Sequence, residues 1–299
     1  HKNQLASLVV NDHLSVKDSL VSKEKSSILP GGASVYCSSI FESTELRSIA
    51  DMSGGGRTRA FLKVQDGCSY RCSYCVIPFV RGHSRSLPLE EVLHQVRNLL
   101  RQGYREIVLT GIHLGGYGRE LRTKTNLAGL IRRLLKEKSL TRLRLSSIEP
   151  REMTDEIIEL IATSPKMANH FHVPLQSGSG RVLRLMRRPY QPDEYLCLVE
   201  RIRKIVPNAA IGADLLVGFP TETLKDHTQT RDLILNSPLT YLHVFPFSSR
   251  PGTQAAQLQN TIPKTISDQR SLDLRKIGEQ KNCSFRQWGF SSSHRLSTR

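Results

Sequence analysis

The sequence predicts an α/β fold, built as a partial (βα)6 barrel with parallel strands. Short β-rich runs alternate with helical patterns about six times between residues 57 and 285. Such alternation is typical of parallel strands joined by right-handed crossovers. Nearly every loop rich in glycine, proline or polar residues follows one of these predicted strands. Six units are too few for a closed eight-stranded barrel, so we expect a partial one.

The six strands are predicted at 60–65, 106–110, 142–146, 170–175, 210–217 and 241–245, where β-branched and apolar residues cluster. Pro88, followed by two acidic residues, predicts the start of a helix, and Gly103 predicts its end. Apolar residues at helical spacing predict two further helices, around 127–135 and 195–206.

Composition divides the chain into three segments. Residues 1–56 are poorly patterned and linker-like, and the glycine run at 53–56 indicates a flexible joint. Residues 57–285 carry the strand–helix alternation and form the predicted α/β domain. Residues 286–299 are predicted to be an unpatterned tail.

Charge and composition limit the partners and the compartment. The formal net charge is +16 and the pI is about 9.9, which favours a polyanionic partner such as nucleic acid, the alternative being a solvated basic surface. No apolar run reaches the roughly 18 residues of a membrane span, so no membrane partner is expected. Six cysteines in 299 residues do not indicate a disulfide scaffold, and Cys197 is predicted to be a core residue. We therefore expect a reducing, cytoplasmic compartment.

Three cysteines lie in one short loop after the first predicted strand. Cys68, Cys72 and Cys75 have the spacing C-x₃-C-x₂-C. Three such thiolates can hold three corners of a [4Fe-4S] cluster, whose complete ligation takes four. Because no fourth cysteine is near, one iron would keep an open position, which is typical of reactive metal sites. The alternatives are zinc with His83 as a fourth ligand and a chance grouping of thiols, but zinc sites usually add a second pair of ligands downstream.

Other unusual residues also follow predicted strands. Gly111 and His113 follow the second strand, Glu149 follows the third, and Gln176 and Ser177 follow the fourth. Loops at the C-terminal ends of parallel strands share one face of a barrel, and active sites are built there. Glycine and proline also mark ordinary turns, but this alternative leaves the position of the thiols unexplained.

Longer stretches resemble a known family. The cysteine spacing, with Tyr74 before the last cysteine, is similar to that of radical S-adenosylmethionine (SAM) enzymes. The resemblance is narrowed to the methylthiotransferases by RTRAFLKVQDGC at 57–68, HVPLQSGS at 172–179, LVGFP at 216–220 and HVFPF at 243–247. The stretch LTGIHLGGYG at 109–118 is most similar to the bacterial branch that acts on N6-threonylcarbamoyladenosine at position 37 of tRNA. Together the resemblance covers about residues 57–285.

The resemblance implies a cofactor set and a reaction. The cysteines would hold a [4Fe-4S] cluster whose free iron chelates SAM. One-electron cleavage of SAM would give a 5′-deoxyadenosyl radical, which takes hydrogen from C2 of the adenine before sulfur and a methyl group are added. The implied partners are tRNA, at adenosine 37 of its anticodon loop, and an electron donor such as flavodoxin or ferredoxin.

The resemblance also implies roles for single residues. Tyr74 is expected near the SAM adenine, Gly111 near the SAM amino end, and Glu149 at the SAM ribose. Gln176 and Ser177 are expected to contact SAM or the substrate. Each has a structural alternative, namely a buried aromatic ring, a plain turn or a charge at a helix entry.

Basic residues after strand ends are the candidates for RNA contact. Arg81, Arg85, Arg187 and Arg188 are expected to contact phosphates, which would make tRNA binding sensitive to salt. His113 is a candidate contact to the modified base.

Two further groups are interpreted as structural. Arg132, Arg133, Lys136 and Lys138 are interpreted as a solvated helix face. His170 and His172 point to the same side of a strand, and we interpret them as a packed, hydrogen-bonded pair in preference to metal ligands.

The sequence departs from the family pattern in three places. Family members carry an N-terminal domain with three more cysteines for a second [4Fe-4S] cluster, but only Cys37 precedes Cys68 here, so residues 1–56 are expected to be a remnant of that domain. The C-terminal RNA-binding barrel of the family is not recognised either. Thr221 replaces the glycine that usually follows Gly218-Phe219-Pro220. We therefore expect cleavage of SAM without thiolation of RNA.

Two other functions remain open at this point. One is a methylthiotransferase for isopentenyladenosine in tRNA or for a ribosomal protein. The other is a non-catalytic, zinc-stabilised RNA-binding module, which would be colourless, whereas an iron–sulfur protein is brown.

Overall fold

The computed structural model describes residues 25–28, 34–37, 46, 58–123 and 125–296. Most of the segment predicted to be a linker and domain remnant, 1–56, lies outside these ranges. Within it, β1 (Lys25–Ile28) and β2 (Ser34–Cys37) pair antiparallel in a two-stranded sheet.

Six parallel strands form the curled sheet. They are β3 (Arg59–Asp66), β5 (Glu106–Gly111), β6 (Arg142–Leu145), β7 (His170–His172), β8 (Ala210–Val217) and β9 (Tyr241–Pro246), and the short β4 (Arg85–Ser86) runs antiparallel to β3. Hydrogen bonds join β3, β5 and β6 in that order, and β7, β8 and β9 in that order. The two halves meet where Leu143 of β6 pairs in parallel with Met167, just before β7. The predicted partial (βα)6 barrel is thereby confirmed.

The fourth strand is shorter than the predicted 170–175. Pro174 has no N–H to donate, so the regular ladder stops after His172. The chain continues beside β8, because the backbone N–H of Leu175 still donates to the Asp214 carbonyl at 3.2 Å.

The helices of the described part of the chain lie between and after these strands. They are α1 (Ile77–Arg81), α2 (Leu89–Arg101), α3 (Leu127–Leu135), α4 (Asp155–Thr163), α5 (Gly180–Leu185), α6 (Pro192–Ile205), α7 (Leu224–Asn236) and α8 (Lys264–Leu296). α2 begins after Pro88, as predicted. α3 begins where the Asn126 side chain accepts the backbone N–H of Gly129 at 2.8 Å, satisfying one of the free donors at a helix start.

The last helix departs from the prediction of an unpatterned tail over 286–299. The backbone of α8 stays helical to Leu296. Its sequence contains no proline, so nothing removes a hydrogen bond from its ladder. The first half of α8 packs against β9, where the Arg275 side chain donates to the Val244 carbonyl at 3.0 Å.

Alternation along the strands separates an apolar face from a polar one. Leu62 and Val64 of β3 and Ile211 and Ala213 of β8 are fully buried against the helices. Burying one such large aliphatic side chain contributes roughly 1.5–3 kcal/mol. The core therefore lies between the sheet and the helices. The opposite, lumenal face of the sheet carries Lys63, Gln65, Arg144, His172, Asp214, Tyr241 and His243.

None of the helices in the described ranges combines the length and the apolar composition needed to cross a lipid bilayer.

Candidate functional site

The loop with the three cysteines begins at a turn that requires glycine. Gly67 has a φ of +74°, and a Cβ at this position would lie 2.0 Å from the carbonyl oxygen of His83. The chain on both sides is therefore held closely together. The backbone N–H of Cys68 donates to the Gly82 carbonyl at 3.1 Å.

The middle of the cysteine loop is anchored to α5 and the turn after it. The hydroxyl of Ser73 donates to the Leu185 carbonyl at 2.7 Å, and its backbone N–H donates to the Met186 carbonyl at 3.1 Å. The backbone N–H of Cys75 donates to the Cys72 carbonyl at 3.1 Å, which closes a tight turn between these two thiols. These hydrogen bonds fix the path of the loop.

The three thiols are free and half-buried. Burial raises the pKa of the Cys68 thiol to about 11 and also raises the pKa of Cys75. These groups stay protonated at neutral pH until a metal replaces the proton, because only the thiolate ligates. Cys72 and Cys75 line a cleft of about 110 Å³ together with Arg187 and Thr253.

The three cysteines are soft donors of the kind that an iron–sulfur cluster takes. Two sulfurs bound to one tetrahedral zinc, each about 2.3 Å from it, lie about 3.8 Å apart. In the described residues, the one group of three potential ligands with all atoms within 4.8 Å of one another is His172, Asp214 and His243. Among the described residues, the three cysteine sulfurs do not form such a compact group. Three soft donors suit three separate irons of a [4Fe-4S] cluster.

Arg188 lies beside the cysteine loop and not on an RNA-facing surface, which corrects its predicted role. Its side chain is only 3% exposed and forms an ion pair with Glu149. One guanidinium nitrogen lies 3.5 Å from the Cys72 sulfur, and another donates to the Tyr190 hydroxyl at 3.2 Å. A buried cation thus stands next to the thiols.

Glu149 and Tyr74, both predicted to contact SAM, lie in the same neighbourhood. Burial raises the pKa of the Glu149 carboxyl, and the Arg188 guanidinium offsets part of that rise. Tyr74 packs against a small apolar cluster that includes Met186 and Phe219. The cysteine loop, the loop after β6 and the turn after α5 therefore converge.

A second network ties the cysteine loop to β5 and corrects the role predicted for His113. The His113 side chain is 6% exposed, and its Nε2 lies 2.7 Å from the Glu152 carboxylate. The Tyr70 hydroxyl donates to the same carboxylate at 3.1 Å, and the Tyr70 ring packs on the His113 ring with centroids 4.5 Å apart. His113 is therefore buried and held by Glu152, which does not favour the predicted contact with a substrate base.

Gln65 and Glu152 are functional residues that sequence reasoning missed. The Gln65 carboxamide accepts the backbone N–H of His113 at 2.7 Å and donates to the Gly67 carbonyl at 2.8 Å. It thereby links the ends of β3 and β5. The available signal for Gln65 in the sequence was its polar side chain within a strand that is otherwise largely buried. Glu152 lies several residues after the third strand, and no local sequence pattern marks it as part of the site.

Three predicted SAM contacts have packing roles in the structure. A Cβ at Gly111 would lie 2.9 Å from the Gln65 side-chain oxygen, so this glycine makes room for Gln65. The Ser177 hydroxyl lies 3.4 Å from the Thr230 hydroxyl and accepts the backbone N–H of Ser179 at 3.1 Å. Gln176 has a φ of +66° and shapes the turn after β7.

The four arginines predicted to contact RNA divide into two pairs. Arg81 and Arg187 are exposed at the ends of α1 and α5. Arg85, like Arg188, is buried, and it donates to the Arg81 carbonyl at 2.8 Å, so it supports the loop and does not face solvent. Of the exposed pair, Arg187 lines the cleft of the cysteine loop.

Three further points of the sequence concern Arg132, Cys197 and Thr221. Arg132 forms an ion pair with Glu156 on the outer helices, in agreement with a solvated helix face. Cys197 is exposed on α6, so the prediction of a core position was wrong. Thr221 has a φ of +70°, a conformation that a β-branched residue rarely adopts.

The two strand histidines form a hydrogen-bonded pair through a third side chain. The Tyr241 hydroxyl lies 2.8 Å from His170 Nε2 and 3.0 Å from His172 Nδ1. The predicted hydrogen bonding of the two histidines therefore agrees with the structure, although it runs through Tyr241 and not directly between the rings.

Curated relatives with similar sequences are tRNA-modifying enzymes. The chain is 42% identical over 224 residues to the threonylcarbamoyladenosine tRNA methylthiotransferase MtaB of Rickettsia prowazekii, covering 75% of this chain and 53% of that protein. It is 40% identical over 251 residues to MtaB of Aquifex aeolicus, covering 84% and 61%. It is also 40% identical over 224 residues to the tRNA-2-methylthio-N(6)-dimethylallyladenosine synthase of Pseudothermotoga lettingae, covering 75% and 51%. The chain thus spans half to three fifths of the length of these relatives.

Solved structures share the fold at low sequence identity. The radical SAM methyltransferase TsrM from Kitasatospora setae matches with a TM-score of 0.56 and 19% identity, covering 66% of this chain and 38% of that one. The cobalamin-dependent radical SAM enzyme OxsB matches with a TM-score of 0.57 and 15% identity, covering 93% and 39%. The model of the radical SAM superfamily matches residues 62–234, more than half of the 299 residues. The chain belongs to the radical SAM superfamily.

Proposed function

We propose that this chain is the radical SAM part of a tRNA methylthiotransferase that acts at C2 of N6-threonylcarbamoyladenosine 37. The observation that carries the proposal is the cysteine loop, with three free thiols fixed beside the buried Arg188–Glu149 pair. The relatives named for methylthio transfer to tRNA support the reaction class.

Cys68, Cys72 and Cys75 would hold a [4Fe-4S] cluster, which when bound supplies one electron for cleaving SAM and thereby a radical that removes hydrogen from the substrate. Arg188 offers a buried guanidinium to a carboxylate, and Glu149 offers a carboxylate to an amino or hydroxyl group, so the pair suits the polar end of SAM. Tyr74 offers an aromatic wall. Burial of these groups limits the access of water to the reacting atoms.

The lumenal face favours threonylcarbamoyladenosine over dimethylallyladenosine as the substrate. Arg144, His172, Asp214 and His243 project from this face. A threonylcarbamoyl group carries a carboxylate, a hydroxyl and amide groups that can pair with such side chains. A dimethylallyl group would place hydrocarbon against these polar side chains and offer them no hydrogen bond, which is less favourable.

The net charge of +16 supports tRNA as the partner. Arg81 and Arg187 are the proposed phosphate contacts, since both are exposed and Arg187 lines the cleft. A flavodoxin or ferredoxin is the proposed electron donor, and the cytoplasm, where tRNA is found, is the proposed compartment.

SAM cleavage tests the first half of the proposal. After anaerobic reconstitution with iron and sulfide, dithionite and SAM should yield 5′-deoxyadenosine. Cys72→Ser should abolish both the brown colour and the product, whereas Cys197→Ser, which removes an exposed cysteine far along the chain, should change neither. A reconstituted protein with a full iron content and no product would refute the proposal.

Isotope transfer tests the substrate without requiring sulfur insertion. An anticodon stem-loop RNA with threonylcarbamoyladenosine 37, deuterated at C2 of the adenine, should pass deuterium to 5′-deoxyadenosine. The matched RNA with dimethylallyladenosine should pass much less. Equal transfer from both RNAs, or transfer from the second alone, would contradict the substrate assignment.

A further inference from the structure

Three side chains on the lumenal face converge on one point. His172 of β7, Asp214 of β8 and His243 of β9 each place one nitrogen or oxygen within 4.8 Å of the other two. His172 Nε2 lies 2.9 Å from Asp214 Oδ1, and His243 Nδ1 lies 3.3 Å from the same oxygen. Strand register creates the group, because Asp214 and His243 are direct partners and His172 is paired with Gly212, two residues before Asp214.

The hydrogen bond to the other ring nitrogen of His172 is of the kind that orients metal ligands. The Tyr241 hydroxyl lies 3.0 Å from His172 Nδ1 and holds the ring with Nε2 directed at Asp214. In metal sites, the second nitrogen of a ligating histidine usually has such a polar partner, which fixes the tautomer and the ring orientation. Tyr241 itself fits because Gly212 has no side chain, and a Cβ there would lie 1.9 Å from the tyrosine ring.

We propose that His172, Asp214 and His243 bind a divalent first-row transition-metal ion such as Zn²⁺ or Fe²⁺. Two imidazoles and one carboxylate on one side of an ion are an established ligand set for these metals, and they leave further coordination positions open. The ion would take His172 Nε2 and His243 Nδ1 as ligands, and the His172 proton would then sit on Nδ1 and be donated to the Tyr241 oxygen.

The open coordination positions would face the inside of the half-barrel. The His243 side chain is 53% exposed there, Asp214 is 24% exposed and His172 is 10% exposed, so one side of the group is buried and the other is accessible. An oxygen of the substrate could complete the coordination. That last point rests on the function proposed above, but metal binding itself does not.

Without an ion, the same geometry is a hydrogen-bonded triad in which Asp214 accepts from both imidazoles. The two states respond differently to substitution. Asp214→Asn keeps the shape and a hydrogen-bond acceptor but removes the negative charge that a divalent ion needs. His243→Gln changes the most exposed ligand and should leave the fold intact.

Zinc uptake by the cluster-loaded protein tests the proposal. Loading the cluster first occupies the competing cysteines. After dialysis against micromolar Zn²⁺, elemental analysis should find one zinc per chain with the iron content unchanged. Asp214→Asn and His243→Gln should lose this zinc, whereas His94→Ala, at an exposed position on α2, should retain it. Tyr241→Phe should weaken zinc binding by roughly 10-fold or more.

The outcomes separate the site from the function. Zinc content equal in wild type, Asp214→Asn and His243→Gln would overturn the proposal, as would a wild-type protein that takes up no zinc. Because the readout is metal per chain, it stays informative if the tRNA substrate differs from the one proposed. Thermal unfolding of each variant without zinc checks that a lost ion does not reflect a lost fold.

Discussion

Arg188 connects the cysteine loop to Glu149, which lies on the loop after β6. It lies 3.5 Å from the Cys72 sulfur, pairs with Glu149 and rests on the Tyr190 ring, with 5.2 Å between its guanidinium carbon and the ring centroid. A buried cation in this position keeps Glu149 from being an uncompensated buried charge. It also favours the charged form of the Cys75 thiol and so offsets part of the rise that burial causes in its pKa.

Removing this cation should destabilise the protein strongly. Arg188→Met leaves Glu149 buried without its partner, so we expect a loss of about 3 kcal/mol in the free energy of unfolding. Urea denaturation of the metal-free protein measures it. Arg187→Met, at the exposed neighbouring position, should change the value by less than about 0.5 kcal/mol.

A double variant separates the ion pair from simple packing. Arg188→Met combined with Glu149→Gln should recover part of the lost stability, because both charges are then gone. If the double variant loses the sum of the two single effects, the pair is not coupled and our account of Arg188 is wrong.

The cysteine loop depends on the backbone conformation at its entrance. Gly67→Ala adds a methyl group at a φ of +74° and 2.0 Å from the His83 carbonyl oxygen. We expect the loop to shift, the free energy of unfolding to fall by more than about 2 kcal/mol, and the reconstituted iron content to drop. Iron and sulfide analysis gives the readout.

Gly103→Ala is the matched control for this substitution. Gly103 also has a positive φ, +94°, but nothing lies within 4 Å of the added carbon. Gly103→Ala should lower the free energy of unfolding only by the backbone strain, about 1 kcal/mol, and leave the iron content unchanged. Equal effects of the two substitutions would show that strain alone, and not the close contact with His83, matters at Gly67.

The start of α7 depends on one buried carboxylate. Asp226 accepts hydrogen bonds from the Ser179 hydroxyl at 2.6 Å and from the Thr223 backbone N–H at 2.8 Å, and it pairs with Arg181. Burial alone would raise the pKa of this carboxyl, but these hydrogen bonds outweigh it and hold the pKa below its usual value.

The lowered pKa gives a pH dependence with a definite sign. The folded state holds the Asp226 proton more weakly than the unfolded state, so its contribution is complete above about pH 4 and is lost as the pH falls further. Asp226→Asn should lower the free energy of unfolding by about 2 kcal/mol at pH 7 and by less at pH 3. Asp232→Asn, at an exposed position on the same helix, should lower the free energy of unfolding at neither pH. A cost of Asp226→Asn that is the same at both pH values would contradict this assignment.

At the scale of the whole molecule, alternation of strands and helices was enough to predict the barrel. The predicted fifth strand has the bounds of β8, and the cysteine loop follows β3 as expected. The direction of polar side chains was not predictable. Arg187 and Arg188 are neighbours in sequence, yet one is exposed and the other buried, because Arg187 has a φ of +56° and turns the chain at the end of α5.

Contacts between residues that are far apart in the sequence also escaped prediction. His172, Asp214 and His243 meet only through the registers of three strands, which no local pattern specifies. The role of His113 was misjudged for a similar reason, since its partner Glu152 lies on a loop after a different strand.

The basic charge of the molecule predicts a salt dependence for RNA binding. Affinity for an anticodon stem-loop RNA should fall linearly on a log–log plot against salt concentration. Arg81→Ala and Arg187→Ala should each weaken binding and reduce the slope by about 1. Arg132→Ala, which removes a charge paired with Glu156 on the outer helices, should leave the slope unchanged. Fluorescence anisotropy of a labelled RNA measures both quantities, and an unchanged slope in Arg81→Ala and Arg187→Ala would exclude them as phosphate contacts.

The curled sheet does not close into a cylinder among the described strands. In the described part of the chain, β9 pairs only with β8, and on the far side β3 is followed only by the two residues of β4. Among the described strands, a gap therefore separates β9 from β4. A closed cylinder can be entered only through its ends, whereas a sheet that is open along one side can also be entered between its edge strands, a route that suits the bulky tRNA proposed above as the substrate.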